Sequence, residues 1–166
     1  MGRFTWMITA GDVLRRVSCA LLFGGSFTLV FAAIVLVKTA ESQGIPAREQ
    51  AETNAPMFIS FSKVALSAGV ALLIGECLDF AARAKASKLT FVRYVSSMLC
   101  AATTMIFAFL IIPPMEELRP IMKTNEEAHR QFHKLHELSR TTFTGTILLA
   151  LMSLVLPAFE AKESRK

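Results

Sequence analysis

The residues best able to do chemistry are three histidines, His129, His133 and His136, the only ones in the chain. Spaced four and three apart, they fall within about 60° of one another on a single helical face. Imidazoles at that spacing face each other and can share a metal ion. A carboxylate from Glu116 could complete such a site or pair with Lys63, and the set would suit a metal ion or haem. The same stretch also carries Glu126, Arg130, Lys134 and Glu137, which read as an ordinary wet helix surface. Hydrogen bonding at the mouth of a bundle, or no special role, therefore fits the same residues.

Other reactive types are sparse. Cys19, Cys77 and Cys100 lack CxxC spacing, so neither a disulfide framework nor a zinc site follows. The methionines form no MxxM ladder and suit gap-filling in an apolar core. No Gly-rich phosphate loop, GxSxG elbow, HExxH or dinucleotide fingerprint is present, so enzyme chemistry has little support. Lys63 interrupts an apolar run, where a cation costs a few kcal/mol unless it snorkels or meets an anion.

The elements that would position these residues are helices for a bilayer. The chain has 166 residues, 53% hydrophobic and 19% charged, with mean hydropathy +0.48. A soluble domain of this size needs more polar surface. Four apolar runs are long enough to span a hydrocarbon core: residues 17–37, 56–75, 94–112 and 141–159. The predicted fold is a single all-α domain, a four-transmembrane-helix bundle. Its long fourth helix extends outside the bilayer over residues 125–140 and carries the histidines.

Residues 1–16 read as an interfacial lead-in, with Asp12 capping the first helix and no cleavable signal. A polar loop over 38–54 and Pro56 precede the second span. Pro113 and Pro114 end the third, Asn125 caps the fourth helix, and Pro157 closes it. Ala20, Gly24, Thr28 and Ala32 make a four-step ridge, and Ser67, Ala71 and Gly75 make another. Such ridges let membrane helices approach closely, inside the bundle or against a partner.

Arg3, Arg15, Arg16, Arg83, Lys85, Lys88, Arg93, Lys162, Arg165 and Lys166 gather on the side holding both termini. This bias places the termini in the cytoplasm, or its stromal or matrix equivalent. It also accounts for the net charge of +5 without nucleic acid.

Several of these stretches resemble a known group. NAPMFISFSK before the second span, IIPPMEELRP after the third, and FHKLHELSRTT opening the fourth are similar to the transmembrane protein 205-like family. The most specific part is Phe132, His136 and Ser139. The family is a domain of unknown function, grouped loosely with copper-resistance protein D-like membrane proteins. The resemblance implies a four-helix integral membrane protein without established activity, and the copper link transfers no ligand. The sequence thus leads to a non-catalytic structural or accessory subunit that binds partner proteins in the membrane or a larger membrane complex. The alternative is the histidine site binding metal or haem.

Overall fold

A computed structural model describes the backbone of residues 2–83, 86–122 and 124–163, and side chains over 4–46, 54–83, 86–122 and 124–159. The expected all-α class is what the chain adopts: four long helices, with no strand among the described residues. The first helix runs through Gly2–Ala20, a π-helical turn at Leu21–Gly25, and Ser26–Ser42. The second is Ala47–Ala82. The third joins Lys88–Met105, a π-helical turn at Ile106–Ile111, and Ile112–Ile121. The fourth is Glu126–Glu163. Each contains a stretch long and apolar enough to cross a membrane.

The helices run further than the sequence suggested. The first is already helical at Gly2, so Asp12 lies mid-helix and pairs with Arg15 and Arg16 instead of capping. Between the first and second helices only residues 43–46 leave the helical state, not the whole of 38–54. There the Ile45 N–H donates to Ala40 O and the Gly44 N–H to Glu41 O. This reversal needs the left-handed φ of +72° that Gly44 supplies. Beyond it the run AREQAE consists of strong helix formers, which carries the second helix in ahead of Pro56.

Nor do Pro113 and Pro114 end the third helix. The wide π turn before them resets the hydrogen-bond register, so they fall in the first turn of Ile112–Ile121, where a missing N–H costs nothing. Asn125 does cap the fourth helix, its side-chain oxygen accepting from the N–H groups of Glu127 at 2.9 Å and Ala128 at 3.1 Å. Ser87 does the same for the third through Thr90.

Neighbouring helices are antiparallel, which gathers the starts of the first and third helices and the ends of the second and fourth, nearest the two termini, at one end. The first two helices touch backbone to backbone there. A Cβ on Gly11 would sit 2.6 Å from the Gly75 carbonyl oxygen, and one on Gly75 would sit 2.9 Å from that of Gly11. Midway, Cys19, Leu22, Ala65, Ala68, Leu72, Cys100 and Ala150 form one apolar cluster. Towards the other end Phe107, Ile111, Ile112 and Phe143 form a second, with Phe58 and Phe61 edge-on to Phe143 at 6.0 Å.

Candidate functional site

The interior at the termini end is ionic. Arg15 and Arg93 are 1% exposed, Glu76 3% and Asp79 2%. Glu76 and Asp79 lie one turn apart on the second helix and share its inner face with Leu72 and Gly75. Arg93, near the start of the third helix, bridges both carboxylates: it donates to Glu76 Oε2 at 3.1 Å and closely to Asp79 Oδ2. Its guanidinium carbon also stands 4.8 Å from the centre of the Tyr94 ring. Asp79 accepts in addition from the Tyr94 hydroxyl at 2.9 Å and from Arg83 Nε at 2.8 Å.

The first and fourth helices complete the cluster. Arg15 points in from the first, with Nε 4.0 Å from Glu76 Oε1 and a close contact to Asp12. Ser97 donates to Glu76 Oε1 at 2.7 Å, and its oxygen lies 3.1 Å from the Ser153 hydroxyl. Arg15 Nη1 donates to the backbone carbonyl of Ser153 at 2.8 Å.

That last bond has a cause four residues on. A helical carbonyl at position 153 would normally accept from the N–H of residue 157, and residue 157 is proline, which has none. Pro157 therefore does not close the fourth helix, which continues to Glu163. It leaves one carbonyl unbonded, and the guanidinium of another helix takes it.

Chemically the arrangement is a clamp. Two buried guanidinium groups face two buried carboxylates, so the interior charge balances. Desolvation offsets much of the attraction in such a cluster, but removing one member strands its partners in a low-dielectric interior. The hydrogen bonds fix register as well, because Arg15, Glu76, Arg93 and Ser153 meet only in one relative placement of the four helices. An open groove of about 690 Å³ lies elsewhere, along Thr5, Trp6, Thr9, Ala10, Val13 and Leu14 of the first helix.

A polar seam continues from the clamp into the bundle. Cys100 Sγ lies 3.6 Å from the Thr146 carbonyl, and the Thr146 and Thr103 hydroxyls are 2.9 Å apart. The buried Ser26 hydroxyl, just past the first π turn, has no hydrogen-bond partner among the described residues.

The residues singled out from sequence are placed differently. His129, His133, His136 and Glu116 are exposed. His136 stacks on Phe132 at 6.5 Å, and the Ser139 hydroxyl donates to the His136 carbonyl. Among the described residues, no three His, Cys, Asp or Glu side chains are grouped so as to hold a metal ion. Ala20 and Thr28 are exposed, Ala32 is half-buried, and a Cβ on Gly24 would meet nothing within 4 Å. That ridge faces outward, and the packed face of the first helix is Gly11, Arg15, Ser18, Cys19, Leu22 and Ser26. On the second helix Gly75 is buried against the first, Ala71 is half-buried, and Ser67 and Lys63 face out. Comparison with known protein families, with curated proteins and with solved structures finds no match for this chain.

Proposed function

We propose that the protein is a four-span integral membrane subunit without catalysis of its own, which binds other proteins in the membrane and is held in register by its buried clamp. The observation that carries this is an inverted surface. Phe31, Phe80, Phe91 and Leu110 are 62%, 68%, 64% and 65% exposed, with many other large apolar side chains around the bundle. Arg, Glu, Asp, Ser and Thr meanwhile fill much of the interior. Water does not favour that distribution, whereas lipid does.

In this orientation the clamp and both termini lie on the cytoplasmic side, where basic residues concentrate. The first part of the fourth helix, with its histidines, projects from the other face. A closed clamp whose charges are all paired suits a scaffold better than a transport or catalytic site. The outward ridge over Ala20, Gly24, Thr28 and Ala32 gives partner helices a smooth surface.

Mild detergent extraction followed by native mass measurement tests the proposal. The expected result is an assembly containing a second kind of chain, and a lone monomer would refute it.

A further inference from the structure

The first helix changes character at its π turn. Its inner half, Gly2–Ala20, is held by Gly11 against Gly75 and by Arg15 in the clamp. In the outer half, Ser26–Ser42, Ser26 alone of seventeen residues is buried, and its hydroxyl has no partner among the described residues. A buried hydroxyl left unbonded weakens the packing it belongs to. Leu29 and Val30, both half-buried, rest this half on the second apolar cluster.

The joints at this level are ones that bend. Leu21–Gly25, LLFGG, is π-helical and ends in two glycines followed by Ser26. Helices kink at π turns and at Gly and Ser pairs, where the regular ladder is already interrupted. A Cβ on Gly25 would lie 2.7 Å from the Phe61 ring, so bare backbone rests on that ring as on a pivot. The second helix has its own weak point nearby in Pro56, which gives no N–H to the turn before it.

A mismatch in length gives this region a reason to move. The bond from Arg15 to the Ser153 carbonyl puts those two residues level. From there the first helix takes twenty-two residues to reach Val37, the last before Lys38, and the fourth meets Arg140 after thirteen. At about 1.5 Å per residue, the first helix stays apolar roughly 13 Å further out. Phe31, Ile34, Val35 and Leu36 are thus exposed level with Lys134 and Glu137, beyond the outer edge of the bilayer. Tilting the whole bundle does not remove the offset. Adjoining helices lie about 10 Å apart, so it would take about 50°, more than the roughly 40° that membrane helices reach.

We infer that residues 26–55, the outer hairpin of the first two helices, form a hinged arm that leans out of the bundle at Leu21–Gly25 and Pro56 onto the outer leaflet. There the apolar run from Leu29 to Val37 meets lipid, and the polar run AREQAETN suits the water side. Leaning out lifts Leu29 and Val30 off the second apolar cluster and opens the aromatic face of Phe58, Phe61 and Phe143 sideways to the bilayer. The clamp keeps the inner halves fixed meanwhile. This inference rests on the membrane reading proposed above and gives that scaffold a moving part.

Paired spin labels on the Cys77→Ala protein in lipid nanodiscs test it, the buried Cys19 and Cys100 staying unlabelled. Val17→Cys with Met152→Cys reports on the inner halves of the first and fourth helices, and Leu36→Cys with Leu138→Cys on the outer ones. All four positions are exposed. The inner pair should give one narrow distance. The outer pair should add a population roughly 10 Å longer than the packed placement allows, from ten residues of arm at about 1.5 Å each. Ser26→Ala removes the unpartnered hydroxyl, favours the packed position, and should lower that population about fivefold. No longer population, or one that Ser26→Ala leaves unchanged, would overturn the inference and leave the membrane reading intact. Leu148→Cys, at mid-span, separates the two: reaction with a membrane-impermeant maleimide would overturn the membrane reading and the arm together, and none is expected.

Discussion

The link between Arg15 and Pro157 makes a specific energetic prediction. Arg15→Met removes the donor to the Ser153 carbonyl and the cation 4.0 Å from Glu76. Breaking a buried charged hydrogen bond and stranding its acceptor costs about 3 kcal/mol. Pro157→Ala restores an N–H aimed at the same carbonyl, so in that background Arg15→Met no longer leaves it unbonded. The double variant should therefore be more stable than the sum of the single effects by about 1 kcal/mol, the net worth of one such bond. Equilibrium unfolding in mixed micelles, with sodium dodecyl sulfate as the denaturant, measures all four proteins of the cycle. If the two substitutions add to within about 0.4 kcal/mol, the carbonyl is not shared in the way described, and the account of Pro157 fails.

Arg93→Met should be the most damaging single substitution in the clamp, costing about 3–5 kcal/mol in the same assay, because it uncovers Glu76 and Asp79 together. Replacing both Arg93 and Glu76 by Met should recover part of that loss, since no isolated charge then remains between them. Gly75→Val must force the first two helices apart and should cost about 1–3 kcal/mol. Gly145→Ala, with nothing within 4 Å, should be neutral or stabilising by up to about 1 kcal/mol. Asn125→Ala removes a two-bond cap and should lower stability by about 1 kcal/mol, visible as faster amide hydrogen exchange in the first turn of the fourth helix.

The four helices were legible because an uninterrupted apolar run has few alternatives to a buried or membrane helix. Their ends were not, because prolines and polar residues ordinarily mark helix boundaries. Pro56, Pro113 and Pro157 lie inside helices that absorb them by different means: strong helix formers upstream, a preceding π turn, and a donor from another helix. The clamp was missed for a related reason. Arg15, Glu76, Asp79 and Arg93 each border an apolar run, where charges ordinarily mark the membrane edge, and Arg15 is 61 residues from Glu76 in sequence.

A usable signal did exist. Arg15 shares a helical face with Gly11, Ser18, Cys19 and Leu22, and Glu76 with Asp79 shares one with Leu72 and Gly75, so both charged pairs sit on packing faces at the same end. The ridge from Ala20 to Ala32, open to either an inward or an outward reading in sequence, faces outward. Four-residue spacing of small side chains identifies a smooth strip, but burial elsewhere on the helix decides whether that strip turns inward.

Sidedness mapping tests the central claim most directly. In sealed cells carrying the Cys77→Ala protein, Gln43→Cys and Thr124→Cys should react with an impermeant maleimide from outside. Ser87→Cys should react only after the membrane is opened. Labelling of Gln43→Cys and Ser87→Cys from the same side would contradict four membrane crossings with the clamp at the cytoplasmic end.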